Sequence, residues 1–192
     1  EFKLVMNCEI SQRKAQIALG LPKEMNRTQM AEVCLEMEEK RIPPVVIDKK
    51  EAPVKEVVKV GQDVDLFELP VMRHHEMDGG PYIVMSTVTK DRKSGIYNCS
   101  YHRMEIKSRN TTGCSASPRH LWKIYRDYED NRLECPVATV LGHHPAYHMG
   151  ACYTGPFEVS EYDVIGGYLR EPLRLTPSET WGEDLLVPAD AE

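Results

Sequence analysis

The chain has 192 residues, 28% of them charged and 41% hydrophobic, with only 12 Gly and 13 Pro; this is the balance of a folded chain able to bury a core, and it excludes disordered and fibrous classes. Thirty acidic against 24 basic residues give a formal net charge of -6, which argues against a surface built to grip nucleic acid. The longest apolar stretches, such as Ile42–Ile47, fall far short of the roughly 20 residues of a membrane-spanning helix, so neither nucleic acid nor membrane is expected as a partner.

Glu1–Met6 reads as a strand already under way, and the chain stops at Glu192 straight after Leu185–Glu192; a slice of a longer polypeptide is expected. No signal-peptide pattern opens the sequence, and Cys8, Cys34, Cys99, Cys114, Cys135 and Cys152 show no CxxC spacing. Free thiols in a reducing cytoplasm are the expectation. Ser11 to Gly20 carries a cap, an apolar run and a terminating glycine, the marks of a short helix. From Asn26 or Thr28 to Lys40, Met30, Val33, Cys34 and Met37 recur every three or four residues and predict an amphipathic helix. Pro43 and Pro44 end it, Val45–Ile47 reads as a short strand, Lys55–Val60 as another, and Asp63–Pro70 as a connector. A boundary is placed there, with residues 1–70 as part of an N-terminal α/β domain and 71–192 as a second domain.

Tyr82–Thr89 and Ile96–Ile106 flank the polar turn Lys90–Gly95 and predict a long β-hairpin. Ser117 and Pro118 read as cap and first residue of a helix running to Asp130. Pro136–Leu141 predicts a buried strand, Ala146–Cys152 a further strand, and Ser160 caps a helix to about Leu169. This mixture lacks regular βαβ spacing, so an α+β domain around a small barrel is expected.

Six of the seven histidines (His74, His75, His102, His120, His143, His144) flank the predicted strands, which points to a site, although His143 and His144 are read as ordinary capping or solvated residues. Asn98 and Arg103 are five apart on one strand, so alternation puts them on opposite faces unless the strand bends. An Asn in mid-strand nevertheless runs against propensity, as functional positions do. His120 falls on the first turn of one helix and Glu161 on that of another. An amide oxygen, an imidazole and a carboxylate form a fairly hard donor set that suits Mn²⁺ or Mg²⁺ better than Zn²⁺.

Several short runs then fall in register. They are Leu69-Pro70, Asp78–Ile83 (DGGPYI), Gly95–Arg103 (GIYNCSYHR), Arg119-His120, Gly142-x-x-Pro145, Ser160-Glu161, Gly166–Pro172 (GGYLREP) and Val187–Glu192 (VPADAE). In order and spacing the chain resembles the UbiD family of reversible decarboxylases. The resemblance implies a flavin-reductase-like split β-barrel that binds prenylated FMN, with the phosphate bridged to the protein by Mn²⁺ (or Mg²⁺) and K⁺. The family's metal ligands fall on Asn98, His120 and Glu161, its flavin-facing arginine on Arg103, and neighbouring cofactor contacts on Ser100, Tyr101, His102, Arg119, Cys152, Tyr153 and Thr154.

The implied reaction is decarboxylation, or its reverse with CO₂, of an aromatic or α,β-unsaturated carboxylic acid through a flavin adduct that acts as electron sink. The family's two proton-handling acids come from a Glu-Gly-Pro segment expected beyond Glu192. Of that network Arg103 alone is present, Glu192 is not given its role, and the slice by itself is expected to be inactive. A C-terminal domain, also expected outside the chain, would make a homo-oligomer. Two other readings are a noncatalytic flavin- or nucleotide-binding module and a zinc hydrolase built on His102, His120 and Glu161. Met72, Met77 and Met149 are read as filler, and Gly79-Gly80 as a tight turn.

Overall fold

The computed structural model describes residues 11–192; the strand expected at Glu1–Met6, and Cys8, lie outside them. α1 (Gln12–Ala18) starts where Ser11 accepts a hydrogen bond from the Lys14 N–H, and Gly20 turns the chain beyond it at φ 62°. α2 (Arg27–Glu39) opens with a full capping box between Asn26 and Gln29 and buries Met37. α5 (Glu161–Leu169) packs across α2 at very short range: a Cβ on Gly167 would sit 2.1 Å from the Met37 carbonyl oxygen, and one on Gly166 2.2 Å from that of Ile42. Gly167 is therefore what lets the two helices meet, and Gly166 what admits the chain that leaves α2.

Two sheets form the frame. β2 (Tyr82–Lys90), β3 (Tyr97–Ser108), β4 (Thr111–Cys114) and β5 (Val137–Val140) lie in the order β4-β3-β2-β5, all antiparallel. β1 (Val45–Val46), β6 (Arg174–Ser178) and β7 (Gly182–Pro188) lie in the order β1-β6-β7, with β1 parallel to β6. β7 lies against β5 and β2, which joins the sheets. Val88, Cys99, Val140, Tyr147, Tyr162, Ile165, Leu173, Leu175 and Leu185 fill the space between them and the helices. On the other face of the hairpin Ile83, Met104 and Ile106 are covered by Leu66 and Leu69 of the connector and by Val71 just beyond it. The segment ahead of the expected boundary at residue 70 is tied into this frame: β1 pairs with β6, and the Val54 N–H donates to the Ala189 carbonyl at 3.0 Å.

The sequence expectations need three corrections. Lys55–Val60 is not a strand: Pro53–Lys55 is a 3₁₀ turn, and Val57, Val58 and Val60 are exposed with no strand beside them. Ala146–Cys152 is not a strand either. Pro145–Gly150 forms a short helix, α4, in which Pro145 takes the first turn and His144 Nδ1 caps the Ala146 N–H at 3.2 Å. α3 (His120–Asp130) starts later than the Ser117-Pro118 signal: the Arg119 N–H is used by the Ser117 carbonyl at 2.7 Å, and Arg119, extended, is the cap residue. Three strands, β4, β6 and β7, fall where no pattern marks them. The five cysteines of the described residues form no disulfide, and no helix among those residues is long and apolar enough to cross a membrane.

Candidate functional site

β4 pairs with β3 over Met104–Ser108, and α5 docks against the other half of that strand edge. Two tyrosines fix the docking. The rings of Tyr97 and Tyr162 stack with centroids 4.7 Å apart, and both hydroxyls bond the backbone of Leu186: Tyr97 accepts from its N–H and Tyr162 donates to its carbonyl, each at 3.0 Å. Glu161, next to Tyr162 and at the start of α5, is thereby pressed onto β3 and is only 3% exposed.

The Glu161 carboxylate is the centre of the site. Its Oε1 accepts from Asn98 Nδ2 at 3.1 Å and its Oε2 from the Cys99 N–H at 3.2 Å. His120, the first residue of α3, brings Nδ1 to 3.9 Å from the same Oε1. Burial pushes the Glu161 carboxyl up to about 7, against the hydrogen bonds from its own backbone, Cys99 and Asn98, which favour the anion. Asn98, His120 and Glu161, spread over three elements, are therefore brought together.

The other expected residues divide into two groups. Ser100 and His102 share the face of Asn98: Ser100 Oγ lies 3.2 Å from Asn98 Oδ1 and 2.9 Å from His102 Nε2. Arg103 does not join them. The β2–β3 register runs unbroken from Tyr82↔Glu105 to Lys90↔Tyr97, so no bulge turns Arg103 to the Asn98 face, and its side chain is exposed on the opposite one. Tyr101, on that same opposite face, has its ring 6.2 Å from His148 of α4. Cys152, Tyr153 and Thr154 lie in the loop between α4 and α5, where Cys152 adds a little to the burial that pushes the Cys99 thiol up to about 12. Arg119 is exposed beside His120. His143 and His144 keep structural roles: His143 stacks on Tyr147 at 4.5 Å and its Nδ1 accepts the His144 N–H at 2.8 Å.

Sequence reasoning missed three participants. Cys99 contributes through its backbone, which no side-chain pattern reveals. Phe157 meets the His120 ring edge-on at 5.3 Å, and the Lys123 ammonium sits 3.6 Å over Phe157, so a loop aromatic holds the imidazole from behind.

Among the described residues no group of three or more His, Cys, Asp or Glu converges as a metal site, and the zinc centre of the hydrolase reading loses its ligands. A mixed set that includes the Asn98 amide is a different matter. A nearly enclosed carboxylate held back from ionising by burial, with one imidazole nearby and an amide on the same oxygen, fits a hard divalent cation, whose charge would offset the desolvation.

The family model described as the 3-octaprenyl-4-hydroxybenzoate carboxy-lyase Rift-related domain, UbiD, matches residues 45–192. The phenolic acid decarboxylase of Bacillus subtilis (strain 168) is 30% identical over 99% of this chain and 41% of its own length; that of Sedimentibacter hydroxybenzoicus is 29% identical over 100% and 42%. The UbiD-class enzyme HmfF from Pelotomaculum thermopropionicum, solved in complex with FMN, superimposes with a TM-score of 0.86 at 31% identity, covering 95% of this chain and 40% of that one. The vanillic acid decarboxylase of Sedimentibacter hydroxybenzoicus in closed form gives 0.87 at 28% identity, with 95% and 40% covered. The chain thus spans about two fifths of the length of these relatives, and the expected α+β architecture with a split-barrel portion is the one it shares with them. By its family match over residues 45–192 and these likenesses along nearly its whole length, the chain belongs to the UbiD family.

Proposed function

We propose that the full-length protein is a reversible carboxy-lyase for an aromatic or α,β-unsaturated carboxylic acid, using prenylated FMN, Mn²⁺ (or Mg²⁺) and K⁺. The observation that carries this reading is the convergence of Asn98 and His120 on Glu161 Oε1 in a chain of the UbiD family. Asn98, His120 and Glu161 would hold the divalent cation, whose charge lets a cofactor phosphate approach a buried carboxylate without net repulsion. Ser100, Tyr101, His102, Arg103, Arg119, Cys152, Tyr153 and Thr154 are the proposed contacts of the flavin. All lie in residues 71–192, the proposed cofactor-binding portion, with residues 1–70 as part of a preceding α/β domain.

Bound prenylated flavin supplies the electron sink for the charge left on carbon when CO₂ departs. The chain's own residues bind and orient. Beyond Met104 the edge of β3 carries α5 in place of β4, with Glu161 on the Cys99 N–H; Asn98 and Arg103 stand on the two faces beside it, and a ligand that meets both spans that edge. The Arg103 guanidinium gives that edge a positive group against developing negative charge. Glu161 is nearly fully enclosed and so kept from water.

The test is purification of the full-length protein from cells that make the prenylated cofactor. Flavin absorbance, bound manganese and release of CO₂ from an unsaturated or aromatic acid are expected. A colourless, metal-free protein overturns the assignment.

A further inference from the structure

Asn98, Ser100 and His102 alternate along β3 and share a face. Their side chains form an unbroken line that starts at Glu161: Asn98 Nδ2 on Glu161 Oε1 at 3.1 Å, Ser100 Oγ at 3.2 Å from Asn98 Oδ1, and His102 Nε2 at 2.9 Å from Ser100 Oγ. The His102 ring also bonds the backbone of Ser115, in a contact that favours the protonated ring, as donation to a carbonyl does. The line runs from one backbone group to the central carboxylate of the site.

Each link has a direction, because a serine hydroxyl carries one proton and a neutral imidazole one N–H. A neutral ring that spends its N–H on Ser115 presents a bare Nε2 to Ser100. Ser100 then donates to His102 and has only lone pairs left for Asn98. Those suit the NH₂ end of the amide, and the carbonyl oxygen turns toward Glu161. Where Ser100 donates to Asn98 instead, the one sense left to it with no acceptor at position 102, it holds the carbonyl on its own side and leaves the NH₂ end facing Glu161. The Asn98 amide has this second polarity in the structure. Only the first offers an oxygen to a cation. Burial disfavours a charged His102 ring, and its Nε2, 2.9 Å from Ser100 Oγ, is the acceptor that lets the line pass from the second polarity to the first.

Taking Asn98, His120 and Glu161 as the cation ligands of the reading above, we propose that Ser100 and His102 are positioning residues that set which end of the Asn98 amide faces Glu161, and so set the affinity of the site for a divalent cation. His102 acts through the Ser100 hydroxyl. Removing the acceptor while keeping the hydroxyl locks the amide in the wrong sense, whereas removing the hydroxyl only frees it.

The test titrates Mn²⁺ into the cofactor-free full-length protein and reads free Mn²⁺ by electron paramagnetic resonance, for wild type, S100A, H102F, the double variant S100A/H102F, S100T and E161Q. H102F is expected to weaken binding by about tenfold or more and S100A by less. The double variant should bind like S100A, because without the hydroxyl the residue at 102 has no route to Asn98. S100T, which keeps the hydroxyl, should bind like wild type. Single variants that bind as wild type does, or a double variant whose loss is the product of the single losses, overturn the relay. Loss of binding in E161Q with S100A and H102F unchanged overturns the relay alone. Wild type that takes up no Mn²⁺, or E161Q that binds it equally well, overturns the cation site and the relay with it. Circular dichroism checks folding, and where H102F fails to fold H102L carries the same expectation.

Discussion

Asn98 and Glu161 stand 63 positions apart in the sequence, yet the amide of one donates to the carboxylate of the other at 3.1 Å. Both are nearly fully buried, Asn98 at 4% and Glu161 at 3% exposure. Burial of a polar pair costs free energy unless its hydrogen bonds are made and any charge is offset. The bonds are supplied by Asn98 and Cys99, whereas the nearest candidate counter-charge, His120 Nδ1, is 3.9 Å away.

Glu161→Gln is the direct probe of that imbalance. A neutral amide still accepts from the Cys99 N–H through its oxygen and no longer carries a charge into the interior. Mn²⁺ affinity of the full-length protein is expected to fall by more than about 100-fold, beyond what loss of an outer partner costs, while the thermal midpoint of the metal-free protein stays within a few degrees. Retained Mn²⁺ affinity, measured by the same spin-resonance titration, would remove Glu161 from the ligand set.

How much of this was legible in the sequence depends on how local the cause is. The Ser11 and Asn26 caps, and the hairpin with its polar turn, are set within a few residues, and the elements formed where those signals stand. Lys55–Val60 has the right residues for a strand and no neighbour to pair with. α4 was hidden because its cap is a histidine, a residue that seldom caps a helix. β6 was hidden by Pro177, which is tolerated because β1 pairs only with Arg174 and Leu175 and leaves that stretch of edge free. At the site, residue types and helix-start positions pointed to His120 and Glu161. That they meet Asn98 is a consequence of tertiary docking, which the Tyr97–Tyr162 stack sets and no spacing encodes.

Acid stability is expected to depend on His143. Burial lowers its pKa from 6.5 to about 4, partly offset by Asp190 and reinforced by His148 and His144. Its Nδ1 is occupied as an acceptor and its Nε2 is buried without a hydrogen-bond partner. The folded pKa lies below the unfolded one, so between pH 6.5 and about 4 the unfolded chain binds a proton that the folded chain refuses. Stability is therefore present above pH 6.5 and declines as pH falls through that window, by roughly 2 kcal/mol by pH 5 and about 3 kcal/mol over the whole of it. His143→Asn removes the titration and suits the residue's φ of 80°. Urea melts at pH 7 and pH 5 should show a smaller difference for H143N than for wild type; equal differences would discount His143.

Gly167→Ala tests the helix crossing that sets α5 in place. The added Cβ would lie 2.1 Å from the Met37 carbonyl oxygen and 2.8 Å from that of Lys40, both backbone atoms that cannot swing aside. A loss of about 3 kcal/mol is expected, at the upper end for overpacking. Gly80→Ala is the control, since its Cβ meets nothing closer than 3.5 Å, and should change the urea midpoint little. Equal midpoints for G167A and wild type would mean that α2 and α5 are free to separate.

Tyr162→Phe and Tyr97→Phe separate the two parts of the clamp that presents Glu161. Each keeps the 4.7 Å ring stack and deletes one hydroxyl bonded to the Leu186 backbone. Tyr162 is fully buried, so Y162F strands the Leu186 carbonyl of β7 and should cost about 1–2 kcal/mol. Tyr97 is only partly buried, and Y97F, which leaves the Leu186 N–H without its acceptor, should cost about 1 kcal/mol. Because both bonds end on the same residue, the double variant should lose less than the sum of the two, as coupled neighbours do. Chemical denaturation of the four proteins gives the cycle. Strict additivity would show that the hydroxyls act independently and that the ring stack alone seats the start of α5 on β3.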